Sequence, residues 1–349
     1  MNGAVAMPAR LEAVERMLRN YPHVTGVGFG VREVRAAMTS ETAWRVYVDR
    51  KVPVAELSRD QVIPRHFDGW PTDVIPTLVA RPASAPVEIG ADAIAPGMLI
   101  SNLRGLLDAP ATAANTSGLG TLGFLALVNG TQHRQEVLVS NRHVLLAHGA
   151  VRGSAIYAPR FAERGNPRVV TREGLRPIAA IEDEGYEGNH RFSYPAEQAV
   201  DYFVDGATAR LAENQPWRAN ATIESGAEAL SLRIRGTARL HALDLLGGRV
   251  QRVRKIGGAT GVTAGRIVDA LAPVTCSGAA DRLRNLVIRS AGGQFVEPGD
   301  SGALIVNDRD EAVGLLWGRS DTDPQVAYAC HIHPLLDRLH VTMLAGAFV

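Results

Sequence analysis

Residues 299–303 read Gly-Asp-Ser-Gly-Ala. A serine hydroxyl is a weak nucleophile unless a neighbouring base takes its proton. Gly299 and Gly302 permit a tight turn in which backbone N–H groups converge on a developing oxyanion. The N–H groups of Gly299 and Ser301 are the natural donors. Taken by itself, the same segment also reads as a β-turn between two strands. A base is offered by Leu-Val-Ser-Asn-Arg-His-Val-Leu-Leu at 138–146, with His143 at the end of an apolar strand. A lone histidine there is usually structural. His143, however, lies far upstream of Ser301, and the strand Val-Asp-Tyr-Phe-Val-Asp-Gly at 200–206 sets Asp201 and Asp205 between them. A base, an orienting acid and a nucleophile therefore follow one another along the chain.

The segment Ser-Asn-Arg-His-Val-Leu-Leu resembles the histidine motif of the trypsin-like serine proteases, although their usual Thr-Ala-Ala-His-Cys is absent. The chain order His, Asp, Ser is also that of the chymotrypsin class. The form found here is similar to a branch in bacteria and plants that includes the plant narrow-leaf trypsin-like protein. Thr121, Leu122 and Gly123 match that branch's Thr-Leu-Gly. Lys255, Gly257, Thr260, Gly261, Thr263 and Gly265 match its Lys-x-Gly-x-x-Thr-Gly-x-Thr-x-Gly segment. Residues 46–74 resemble its front domain, so the likeness runs from about residue 24 to the C-terminus.

The resemblance implies a mainly β fold, a chymotrypsin-like double β-barrel with a small N-terminal α/β domain. It also implies a serine endopeptidase acting on a protein or peptide substrate without a cofactor. His143 would be general base and then general acid, Asp205 its orienting carboxylate, and Ser301 the nucleophile. Asp205 is preferred because Ala207, Ala209 and Leu211 follow it as in the family's Asp-x-Ala-x-Ala-x-Leu. Asp201 is followed by bulky Tyr202 and Phe203. Four apart on a strand, the two aspartates share a face, so periodicity does not separate them. Trp317 and Gly318 match the family's Ser-Trp-Gly edge, which binds substrate backbone as an added strand. Counting six residues before Ser301 reaches Phe295 as pocket floor, which implies small or apolar residues before the cut; Glu297 is the nearby acid that would reverse this. Two other readings use the same residues: a binding or scaffolding module on a protease fold, and an esterase or acyltransferase.

Positioning such groups needs a rigid β framework. Of 349 residues, 35 are glycine and only 5% aromatic, which suits a turn-rich β protein. The pattern predicts an α/β domain over 1–80, a Pro- and Ala-rich linker over 81–96, and the barrels over 97–349. A helix is predicted over 8–19, with Leu11, Val14, Met17 and Leu18 on one face. The glycines of Gly-Val-Gly-Phe-Gly at 26–30 belong to a strand, because no helix follows as a dinucleotide loop requires. Residues 160–196 read as a long exposed connection. The glycine-rich run after Lys255 reads as a hairpin shaping the second barrel, since it lacks the ending of a phosphate loop. Ile-His-Pro-Leu-Leu-Asp-Arg-Leu-His-Val at 332–341 reads as a closing helix.

Thirty-seven basic against 36 acidic residues give no basic stripe for nucleic acid or an anionic membrane. No run of residues is apolar enough to span a bilayer. Cys276 and Cys330 form no disulfide framework, and reduced thiols together with a charged N-terminus point to the cytoplasm. His331, His333 and His340 lack the companion ligands of a metal site, so none is expected. Homo-oligomerisation is left open.

Overall fold

The computed structural model describes residues 7–34, 37–76, 80–81, 93–102, 119–158, 177–225, 228–242, 244–245, 251–275, 281–290 and 294–346. In chain order its strands are β1 Val24–Val34, β2 Ala37–Val48, β3 His66–Phe67, β4 Trp70–Pro76, β5 Ala80–Arg81, β6 Leu99–Asn102, β7 Leu119–Thr121 and β8 Phe124–Val128. There follow β9 Glu136–Ser140, β10 Ala155–Tyr157, β11 Pro177–Ile181, β12 Tyr186–Phe192, β13 Val200–Leu211, β14 Ala221–Ser225, β15 Glu228–Leu232 and β16 Gly236–Thr237. The last are β17 Gln251–Gly257, β18 Gly261–Val274, β19 Arg282–Ser290, β20 Leu304–Asn307, β21 Glu311–Ser320, β22 Val326–His331 and β23 Val341–Met343. The helices named below are α1 Met7–Leu18, α2 Arg142–Leu145 and α3 Ile332–Arg338.

Strand alternation decides which core each residue joins. In β9, Leu138 faces Ile156 and Ala209 inside the first sheet. Its neighbours Val137 and Val139 face the other way, against Phe124, Leu304 and Leu315 between the two sheets. The first sheet runs β23-β8-β9-β13-β11-β10-β6-β7, a half-barrel among the described residues. The second runs β17-β20-β21-β22-β19-β18, and β18 pairs back onto β17, closing a six-stranded antiparallel barrel. The chain is thus mainly β and has the chymotrypsin-like two-barrel architecture that the motifs implied.

The front segment, read as an α/β domain over 1–80, shares a sheet with the second barrel. β1 pairs with β18 through Gly30 and Asp269, so the second barrel's sheet continues into β1, β2 and β4. Tyr47 Oη donates to Asp269 Oδ2 at 2.7 Å, with Arg45 3.8 Å from the same oxygen. α1 packs Met7, Leu11, Val14 and Leu18 into one core with Trp44, Leu271 and Leu286. Met17 is 58% exposed, because at 100° per residue it falls off that stripe, and Met7 takes its place. Each buried leucine contributes roughly 1.5–3 kcal/mol. A chain starting near residue 95 lacks this layer and is not expected to fold as a clean pair of barrels.

One sequence expectation changes. Residues 177–181 and 186–192 lie in strands β11 and β12, both paired with β13, rather than in an open connection. The predicted linker falls mainly outside the described residues; of its described part, Arg81 pairs in β5 and Ile94 bridges Trp217.

Candidate active site

The run that ends in His143 leaves its strand early. β9 stops at Ser140, and His143 sits in the short helix α2. Four contacts tie this corner to Asp205 of β13. Asn141 Nδ2 donates to the Asp205 carbonyl at 2.8 Å. Asp205 Oδ1 accepts the Arg142 N–H at 2.7 Å and the His143 N–H at 3.4 Å. The other carboxylate oxygen, Oδ2, is 2.5 Å from His143 Nδ1. Asp205 is wholly buried. Asp201, four residues earlier, leaves 38% of its side chain exposed and lies 3.6 Å from Arg191.

Burial pulls the His143 pKa down, but the Asp205 charge and hydrogen bond outweigh it, and the value rises above the usual one. The charged imidazole is therefore favoured in the folded chain. Its contribution to stability is full below about pH 6.5 and lost as pH rises through the raised value. A base must be neutral, so any reaction of Ser301 assisted by His143 gains rate across the same raised value. The fluorophosphonate labelling rate is expected to rise with pH with a midpoint above 6.5, and Asp205→Asn to shift that midpoint downward. A wild-type midpoint below 6.5 overturns this.

Ser301 is nearly buried and lies in a turn where Gly299 and Gly302 have φ of +102° and +93°. Its carbonyl accepts the Thr121 N–H at 2.7 Å. Its hydroxyl is directed to the Trp317 carbonyl at 3.5 Å. His143 Nε2 is buried with no hydrogen-bond partner among the described residues. His143 and Asp205 are thus joined, while the hydroxyl of Ser301 is turned to another acceptor. The two motifs are nonetheless neighbours. A Cβ at Gly120 would fall 2.4 Å from the Val144 methyls and 2.9 Å from the Ser301 carbonyl oxygen.

Sequence reasoning missed the support beneath this turn. Asp300 is fully buried and collects five donors. They are Lys255 Nζ (3.0 Å), Thr260 Oγ1 (2.8 Å) and the N–H groups of Ala259 (3.0 Å), Thr260 (3.1 Å) and Glu297 (2.9 Å). Lys255 is equally buried. Gly257 must lack a side chain, because a Cβ would lie 2.1 Å from Asp300 Oδ1. Thr121 Oγ1 donates to the Gly299 carbonyl at 2.6 Å and accepts the Gly258 N–H at 2.9 Å. A Cβ at Gly123 would meet the Gly302 carbonyl at 2.5 Å. The Thr-Leu-Gly and Lys-x-Gly-x-x-Thr motifs therefore both buttress residues 299–302. A lysine one residue ahead of two adjacent glycines, Lys255-Ile256-Gly257-Gly258, was the available signal.

The residues expected to bind substrate are placed as follows. The Trp317 ring is core: its Nε1 donates to Asn285 at 3.0 Å, it stacks on Tyr328, and Arg282 lies over its face at 4.4 Å. Only the backbone of Trp317 and Gly318 can meet a peptide. Phe295 is fully buried in the second barrel, and its carbonyl accepts Thr263 Oγ1. A cavity of about 500 Å³ lined by Arg142, Tyr186, Glu187, Phe203, Asp281 and Arg282 opens beside α2 without Phe295.

The three histidines of the C-terminal segment do not converge. Among the described residues no group of three or more His, Cys, Asp or Glu could hold a metal. His331 Nε2 lies 2.7 Å from the Ala270 carbonyl. His333 contacts Thr237 and Tyr194. Burial lowers the His331 pKa to about 4. Protonation is thus favoured on unfolding, and stability held above about pH 6.5 is lost as pH falls toward 4, by about 3 kcal/mol. Urea midpoints of His331→Gln are expected to fall less between pH 7 and 4 than those of the parent; equal falls refute this. Burial pushes the Cys330 thiol up to about 12, so it is no nucleophile at neutral pH. Cys276 lies outside the described residues.

No protein-family model and no curated protein sequence matches the chain. Among solved structures, Thermobifida fusca protease A is 13% identical over 73% of this chain and 100% of that one, with a TM-score of 0.45. The Nocardiopsis protease is 16% identical over 72% and 98%, with a TM-score of 0.44. A glutamic-acid-specific serine protease that uses a histidine triad in substrate binding is 16% identical over 72% and 100%, with a TM-score of 0.45. At these levels the likeness leaves the chemistry of the site to its own residues.

Proposed function

We propose that the chain is a serine endopeptidase of the trypsin-like class, similar to the bacterial and plant branch named above. The observation that carries this is the His143 Nδ1–Asp205 Oδ2 hydrogen bond at 2.5 Å, made by a fully buried carboxylate. Asp205 fixes the tautomer that leaves Nε2 free to accept a proton. On engagement of a substrate, the Ser301 hydroxyl turns from the Trp317 carbonyl to Nε2 and attacks the scissile carbonyl. The N–H groups of Gly299 and Ser301 receive the oxyanion. His143 then protonates the leaving amine, and water cleaves the acyl-enzyme by the same path. The substrate is a protein or peptide.

A second reading, a binding module of low turnover, draws support from the Ser301 hydroxyl facing Trp317. Fluorophosphonate labelling of purified protein, followed by a peptide-library digest, separates the two. Labelling at Ser301 with cleavage supports the endopeptidase. Labelling absent, or present without amide cleavage, overturns it.

A further inference from the structure

We infer that the chain's own segment Ala80–Arg81 occupies the strand edge on which a peptide substrate would lie, so that the front of the chain competes with substrate in cis. This rests on the endopeptidase reading. β21 is flanked by β22 on one side, with pairs from Gly314↔His331 to Arg319↔Ala327. On the other side β20 pairs with it only as far as Leu304↔Leu315. Beyond that, Leu316 N–H donates to the Ala303 carbonyl at 2.9 Å, and Gly302 N–H to the Leu316 carbonyl at 2.8 Å. The Ser301 turn thus ends the β20 side of the ladder, and among the described residues no strand but β5 pairs on that side of β21 from Trp317 to Ser320. β5 pairs there, with Arg81 opposite Arg319 and Ala80 opposite Ser320.

The direction of β5 makes the pairing competitive. It is antiparallel to β21, so the chain advances from Ser320 toward Arg319, and thus toward Trp317 and Ser301. A peptide laid antiparallel on this edge with its scissile bond at Ser301 runs the same way, and its residues upstream of the cut need the positions that Ala80 and Arg81 fill. At roughly 3.3 Å per residue, Arg319 lies about 7 Å beyond Trp317. Short ligands therefore escape the competition and longer ones meet it.

Both flanks of the segment are anchored. β4 is held parallel to β2 through Val48↔Pro76. On the other side Ile94 N–H donates to the Pro216 carbonyl at 2.9 Å, and Arg218 N–H to the Ile94 carbonyl at 2.8 Å. Tethering of this kind sustains an effective concentration that a free peptide must exceed. A two-residue ladder is weak by itself, so the segment remains displaceable.

The test uses the full chain with Ala80→Pro and Arg81→Pro together, which removes whichever N–H donates to β21. Three measurements are made on parent and variant. Amide exchange at Arg319 and Ser320 is expected to speed up while that at Leu315 and Leu316 holds, which also reports that the variant is folded. Labelling by a small fluorophosphonate is expected to be equal in both. Labelling by an acetylated penta-alanyl phosphonate diphenyl ester is expected to be at least tenfold faster in the variant. Unchanged exchange at Arg319 and Ser320, or equal rates with the long probe while the small one reacts, overturns the inference alone. Failure of the small probe on both proteins overturns the endopeptidase reading and this inference with it.

Discussion

Ser301→Ala and His143→Ala are each expected to abolish peptide hydrolysis down to the residue left by binding and oxyanion contacts, and the double variant to be no worse. Groups that act on one proton fail together, so their losses do not add. Asp205→Asn tests the third member. The amide keeps the shape of the carboxylate, but it must set its N–H₂ against either His143 Nδ1 or the Arg142 N–H, both of which need an acceptor. The imidazole then favours the wrong tautomer, and turnover is expected to fall by about 10⁴. Asp201→Asn should leave turnover within a few-fold, because that carboxylate is 38% exposed and faces Arg191 rather than His143. Steady-state kinetics on a peptide found in the library digest, with circular dichroism as a check on folding, decide the matter. Near-parental turnover in Ser301→Ala removes the nucleophile. A larger loss in Asp201→Asn than in Asp205→Asn removes Asp205.

Lys255→Met is expected to lower stability by about 3–5 kcal/mol, because it leaves a buried carboxylate without its cation. Lys255 and Asp300 both have no exposed side-chain surface, so water cannot replace the lost partner. Burial already pulls the Lys255 pKa down, and Asp300 is what opposes it. Asp300→Asn therefore strands the lysine in turn, and sets an amide N–H₂ against other donors. Either change also frees the turn whose next residue is Ser301, so the fluorophosphonate rate should drop at least tenfold under conditions where the protein is still folded. Urea unfolding and labelling at low denaturant measure the two effects separately. A Lys255→Met protein with the parental midpoint and parental labelling rate shows that the pair neither holds the fold nor positions the turn.

Much of this molecule was legible as local chain properties. A period of two marks strands, and glycines flanking Ser301 mark a turn; both follow from a few adjacent residues. The strand that holds the glycines of 26–30 was readable in this way, whereas the double-barrel architecture was implied by the resemblance of short motifs to a known family. What depends on which segments meet was not readable. Asp201 and Asp205 share a face of one strand, and only the packing of β13 beneath α2 buries one and exposes the other. Lys255 and Asp300 are 45 residues apart, and nothing in either neighbourhood specifies the other. The pattern of the front segment does not say which strand it meets, because backbone hydrogen bonds carry no sequence label, and β1 joins β18 through them. Trp317 lies on the strand that the motif named, but its ring turns into the core between the barrels. Alternation along a strand fixes which residues point together; only the sheets packed on either side decide which of the two faces is water and which is core.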